Sequence, residues 1–308
     1  MTNKAKVITF SGVNMGRTQE DILASFEKQL KECEKQSPDL ICFPEEMLIL
    51  GGDGNNANWV KNNEKALQLA LEYAVKLHSN IVVNLEEPSK EYPGKSYNTA
   101  YVIDRAGNIL GKYRKKHITF RAIAGHGLPG DRVVTVDTDI GRLGISICFD
   151  IGWREDWVEL KRQGAQIVVW PSAYHGGQLL NAYAAVHMYY IVTSVWNRES
   201  RIISPLGDTI AQSTIWDGCA VAEIYPDARI YHFDHHEQKI PELRTLYGDK
   251  LHFRVDGDGN IFEMALLDPT MDADAFEKQH DLQTYRAYHA QCTVDNDEML
   301  EKYPVVEE

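Results

Sequence analysis

Apolar positions in the first 225 residues alternate between two periods. Short dense runs at 7–10, 39–43, 80–85, 166–170 and 191–195 have the length and β-branched content of buried strands. Between the first two, Ile22, Leu23, Phe26, Leu30 and Cys33 recur at helical spacing, behind Thr18 as N-cap with Asp21 three residues on. Ser37-Pro38 ends that helix. Ala66, Ala70, Tyr73 and Leu77 mark a second helix, 179–190 a third, and another follows Trp153. Residues 51–58, rich in Gly and Asn, read as a loop.

Residues 98–104 and 108–113 flank Arg105-Ala-Gly107, a hairpin signal, and 132–137 with 141–148 form another strand pair. The 166–170 run stops at Pro171, and 201–204 and 219–224 add further strands. Strands alternating with helices predict a layered α/β fold, and the hairpins make its sheets mixed. Beyond residue 225 charged and aromatic residues take over with no flexible linker. The expected division is a main domain over 1–225 and an extension over 226–308 packed on that domain or on a partner subunit.

Composition narrows the classes. The 308 residues suffice for one large domain or two medium ones, and 44% hydrophobic with 25% charged residues is ordinary for a globular chain. A net charge of −13 argues against non-specific nucleic-acid binding and against an anionic membrane surface. Five cysteines without a C-x-x-C pair argue against a disulfide framework or a structural zinc site, and fit a reducing, cytoplasmic setting. No apolar run approaches membrane-spanning length.

Three strand ends carry titratable residues. Pro44-Glu45 follows 39–43, Arg114-Lys115-Lys116-His117 follows 108–113, and Cys148 closes the run that starts at Gly141. Strand ends are the usual place for a site in an α/β protein. A cysteine between a strand end and a helix start meets free backbone N–H groups and a positive helix end, both favourable to a thiolate and an oxyanion. Alone, a cysteine in an apolar run is ordinarily an inert core residue.

The ordered set of motifs is more specific. Phe43-Pro44-Glu45, Tyr113-Arg114-Lys115 and Cys148-Phe149-Asp150, with Pro129-Gly130-Asp131, Gly141-Arg142-Leu143-Gly144 and Trp170-Pro171-Ser172-Ala173, resemble the nitrilase superfamily of carbon–nitrogen hydrolases over about residues 5–225. The resemblance implies a four-layer α-β-β-α sandwich with two mixed sheets, commonly dimerised. It implies Cys148 as nucleophile, Glu45 as general base and acid, and Lys115 with the Phe149 N–H as oxyanion donors. Positioned proton transfer is typically worth ~10²–10⁴-fold. Glu46 competes with Glu45, but successive residues leaving a strand point to opposite sides. The family places its carboxylate directly after Pro, so Glu45 is chosen.

The departures shape the substrate reading. Most relatives have a second Glu beyond the Lys segment, and this chain has none between Lys115 and Glu155. His126 is the candidate substitute, assisted by His117 or Arg121. Phe149-Asp150 is similar to the amidase and carbamoylase branches, where nitrile-cleaving relatives have Trp-Glu. Ile151 and Gly152 stand where carbamoylases of amino-acid derivatives place arginines. Trp153 and Tyr174, with Trp170 and His175, are candidate pocket walls. His232, His235 and His236 lack a metal-ligand frame and read as interfacial. The expected protein is a thiol-dependent hydrolase of a small linear amide or carbamoyl compound, without metal or cofactor. It is expected to be a homodimer or higher homo-oligomer. The alternatives are a nitrilase and a catalytically impaired nitrilase-fold binding or scaffold protein.

Overall fold

The structure, a computed structural model, describes residues 4–13, 15–50, 58–256 and 258–305. It divides into two compact units, one spanning Lys4–Pro226 and one beginning at Asp227. The loop read at 51–58 lies, except for Asn58, outside the described residues.

Two mixed sheets build the first unit. One runs in the order Cys219–Ile224, Ala5–Phe10, Leu40–Cys42, Asn80–Pro88, Ser96–Ile103, Ile109–Arg114, with the short Gly127–Leu128 strand beside Ser96–Ile103. The other runs Thr209–Gln212, Arg201–Ile203, Tyr190–Val195, Ile167–Ser172, Gly141–Ile145, Val134–Thr138. Two-residue alternation sends each strand's side chains to opposite faces. Val7, Leu40, Cys42 and Val82 meet Leu143, Ile145 and Val169 between the sheets. Ile8, Ile41, Phe43 and Ile81 instead face helices Gln19–Glu32 and Trp59–Leu77. Val168, Trp170 and Ile191 face helices Arg154–Arg162 and Leu179–His187 on the far side. The result is the four-layer α-β-β-α sandwich.

Local chemistry sets the element ends. The Thr18 hydroxyl accepts the Asp21 N–H and the Asp21 carboxylate accepts the Thr18 N–H, a complete capping box. The strand containing Pro171 runs on to Ser172, past the stop read at the proline. Its neighbour Gly141–Ile145 pairs only as far as Val169, so one flank is open where the proline lacks its N–H. The Gly141 strand ends at Ile145, short of Cys148, which opens a 3₁₀ turn over Cys148–Gly152.

The second unit holds elements the sequence reading did not place. Arg229–His232, Ile261–Leu266 and Leu251–Asp256 form an antiparallel sheet in that order, accompanied by helices Lys239–Tyr247, Ala273–His280 and Tyr285–Lys302. Tyr231, Leu243, Phe262, Met264 and Phe276 are its core. The interfacial reading is corrected here for His236, while His235 is exposed. His236 is buried, donating from Nδ1 to the His232 carbonyl (2.7 Å) and accepting at Nε2 from the Gln283 N–H (3.1 Å). It is an internal strut of this unit, and His232 stacks on Tyr288. No helix among the described residues is long and apolar enough to cross a membrane.

Gly130 holds the end of the Ile109–Arg114 strand. Its N–H donates to the Lys115 carbonyl (2.8 Å), and a Cβ there would lie 2.1 Å from the Arg114 carbonyl oxygen. Backbone must therefore move in Gly130→Ala. The variant is expected to lose about 1–3 kcal/mol, read as a lower urea midpoint. An unchanged midpoint would contradict the close approach.

Candidate active site

Four strand ends converge on one place. Leu40–Cys42 leads through Phe43 and Pro44 to Glu45, Ile109–Arg114 delivers Lys115, Gly141–Ile145 leads to Cys148, and Ile167–Ser172 delivers the Ala173 N–H. Glu45, Lys115 and Cys148 are each under a tenth exposed. Glu45 Oε1 accepts from Lys115 Nζ (2.6 Å) and from Asn98 Nδ2 (2.9 Å), and Oε2 accepts from the Ala173 N–H (2.8 Å). Trp196 Nε1 fixes the Glu45 carbonyl (2.8 Å).

Behind the carboxylate lies a pair of amides, Asn84 buried and Asn98 partly buried. Asn84 Nδ2 donates to Asn98 Oδ1 (2.9 Å), which leaves Asn98 Nδ2 facing Glu45. Asn84 Oδ1 accepts the Glu46 N–H. Burial disfavours the Lys115 ammonium, but the Glu45 and Cys148 charges more than offset this and push the amine up to about 12. Burial and then the Glu45 charge push the Cys148 thiol up to about 12, against the pull of Lys115 and of the Ala173 N–H. The resting nucleophile is a thiol, and it needs a base as it attacks.

Asp150 holds the turn that carries Cys148. Its carboxylate accepts from the Tyr113 hydroxyl (2.7 Å), the His117 N–H (2.8 Å) and the Ile147 N–H (3.0 Å). Burial raises the Asp150 carboxyl above its ordinary range despite these bonds. Cys148 itself lies in the left-handed region, at φ 48°.

A cavity of about 320 Å³ opens onto Glu45, Lys115 and Cys148. The expectation that Glu46 points away from Glu45 is corrected, because both line this cavity. Glu46 has φ 38°, so the chain has left the extended conformation and strand alternation no longer holds. Burial and the neighbouring Glu45 charge raise the Glu46 carboxyl. Glu86 also lines the cavity and accepts from the Ser96 hydroxyl.

The other predicted site residues fall elsewhere. His126 is exposed, with Nδ1 3.4 Å from Lys95 Nζ, and is not among the residues lining the cavity. Trp153 stacks on His117 at 3.8 Å and takes the edge of Phe149, so it braces the Cys148 turn. His117 Nε2 is bonded to Asp156 (2.7 Å). Trp170 is core, and Tyr174 packs edge-on against it, close enough for the Cys148 charge to help raise its hydroxyl. Arg121 does line the cavity, from helix Phe120–Ala124. Sequence reasoning missed Asn84, Asn98, Glu86 and the Ala173 N–H. An amide among the apolar residues Ile81, Val82, Val83 and Leu85 was the available signal for Asn84.

Comparison with known proteins gives the family and the fold. The carbon-nitrogen hydrolase family profile matches residues 11–230. A deaminated glutathione amidase of Dictyostelium discoideum is 26% identical over 246 residues, covering 68% of this chain and 84% of that protein. The omega-amidase NIT2 of Homo sapiens is 28% identical over 217 residues, covering 58% and 77%. A carbon-nitrogen hydrolase from Helicobacter pylori G27 superposes with a TM-score of 0.66 at 17% identity, over 80% of this chain and 94% of that one. An amidase from Nesterenkonia sp. gives 0.63 at 17% identity, over 72% and 91%. With its fold, its strand-end motifs and a family profile spanning most of its length, the chain belongs to the carbon-nitrogen hydrolases of the nitrilase superfamily.

Proposed function

We propose that the protein is a thiol amidohydrolase that cleaves a small linear amide or carbamoyl compound through a thioester at Cys148. The observation that carries this reading is the buried Glu45–Lys115 pair, 2.6 Å apart, lining one cavity with Cys148. The relatives named above are amidases, which supports it. The intact pair favours turnover over a scaffold role.

The chemistry follows from the partners. Cys148 Sγ attacks the amide carbon as its proton passes to Glu45. The oxygen takes up negative charge beside Lys115 and the Phe149 N–H. The C–N bond then breaks while Glu45 returns the proton to the departing nitrogen, leaving a thioester. Water loses a proton to Glu45 as it adds to the thioester. The acid leaves, and the thiol recovers that proton. The Ala173 N–H is tied to Glu45, so its part is to orient the base.

Cys148→Ala is expected to abolish ammonia or amine release across a panel of small amides; equal rates in the variant and the parent would overturn the assignment. In Glu45→Gln two readouts part company. Turnover is expected to drop ~10²–10⁴-fold with loss of the base. The pH midpoint for alkylation of Cys148 by iodoacetamide is expected to fall, because the charge that raises the thiol is gone while Lys115 remains. Turnover within a few-fold of the parent would remove Glu45 from its role.

Asn84→Ala leaves the Glu46 N–H without its acceptor and frees the Asn98 amide to turn. We expect a loss in kcat of up to about 10²-fold, with the pH–rate profile displaced. A kcat loss with an unshifted profile would assign Asn84 to packing alone.

A further inference from the structure

Two carboxylates in the cavity take no part in the chemistry above. Glu46 enters from the junction after Leu40–Cys42, and Glu86 from strand Asn80–Pro88. Both are partly buried. Among the described residues neither is paired with a cationic side chain, since Lys115 is held by Glu45 and Arg121, though it lines the cavity, is exposed and bridges neither. Among the described residues the Glu86 carboxylate accepts a hydrogen bond only from the Ser96 hydroxyl. The lining of the same cavity also includes Ile49, Ile118, Ala122 and Leu128, which offer apolar surface.

This arrangement constrains what the cavity accepts. A ligand that fills it excludes water from both carboxylates, and an unpaired carboxylate out of water is costly. With a neutral ligand the cost is met by keeping protons on the two carboxyls, both of which burial raises, and an anionic ligand adds repulsion to any carboxylate left ionised. A cation removes the cost, and an ammonium has three N–H donors to share between two carboxylates.

We propose that Glu46 and Glu86 form an ammonium subsite, so that the substrate is a short aliphatic amide or carbamoyl compound carrying a primary amine at the end away from the scissile bond. This rests on the amidohydrolase reading and narrows it. The alkyl chain lies along the apolar wall, the carbonyl meets Cys148 and Lys115, and the ammonium lies between the two carboxylates. Charges facing Glu46 are Glu45 from its own junction, Glu86 and Lys115. Burial and Glu45 push the Glu46 carboxyl up to about 8, so a proton competes with the ammonium for this site. Binding of an ammonium substrate therefore strengthens as pH rises from about 6 to about 8, while a neutral amide gains nothing from this group.

The test uses the full chain and three amides of one length: 4-aminobutanamide, pentanamide and glutaramate. Ammonia release gives kcat/KM for each, and calorimetry on Cys148→Ala gives binding without turnover. The expected order is ammonium, then neutral, then anionic, with a preference of about tenfold or more for ammonium over neutral. Glu46→Gln and Glu86→Gln are each expected to shrink that ratio. Should either variant fail to fold, the parent's order and the pH dependence of 4-aminobutanamide binding decide the matter. Equal or better use of pentanamide or glutaramate by the parent overturns the proposal, as does a ratio unchanged in both folded variants. Failure of the amidohydrolase reading looks different: no ammonia from any of the three and no acyl adduct on Cys148.

Discussion

The site depends on a buried ion pair. Glu45 and Lys115 stand 2.6 Å apart with almost no solvent access. Removing each charge from water costs several kcal/mol, and the pair returns this only if its geometry is tight and its remaining hydrogen-bonding capacity is filled. The fold supplies both. Asn98 and the Ala173 N–H fill the Glu45 oxygens, and Trp196 fixes its main chain. These contacts come from different strands of both sheets, so the sandwich must be assembled before the pair is worth forming. A site built this way is rigid, and loss of one partner is costly, because the other would be left charged and buried.

The nucleophile is bound to this pair through Asp150. One carboxylate holds Tyr113 and His117, which lie two residues to either side of Lys115, and the Ile147 N–H just before Cys148. Movement of the lysine relative to the cysteine turn would break two or three buried hydrogen bonds at once, each with a desolvation cost of about 1–3 kcal/mol. The aromatic and charged residues around it extend the brace. Trp153 lies flat on His117, and Asp156 receives both His117 and Lys116. Residues that look like substrate contacts in the sequence are therefore the outer support of the nucleophile.

The legible parts of the chain were those governed by short-range rules. Strand and helix periods located the layers, and Thr18 with Asp21 marked a cap that the structure completes. Glu45, Lys115 and Cys148 were picked from ordered motifs, and the fold brings them to one cavity. What escaped depends on long-range contact. Asn84 and Asn98 lie on adjacent strands, and only strand register sets one amide against the other. His126 was placed in the site on sequence position, but the backbone leaves it exposed. The unit after Asp227 was masked by its charge. Glu263, wholly buried and bridged to Arg254, is the kind of residue a hydropathy pattern reads as surface.

The error at Glu46 is the most informative of these. Alternation assigns neighbours to opposite faces, and that holds only while the chain stays extended. Glu46 and Cys148 both occupy the left-handed region, which costs a non-glycine residue of order 1–3 kcal/mol and persists only where surroundings over-determine it. At Glu46 the surroundings are the Asn84 acceptor on its N–H and the Ile49 N–H on its carbonyl. At Cys148 they are Asp150 and the bonds it gathers. Both residues stand where a strand has ended, and both side chains reach the cavity. Strain at these exits is thus what turns two consecutive carboxylates, and a cysteine beyond its strand, toward the same space. At these two positions the period rule fails because the backbone bends to build the site.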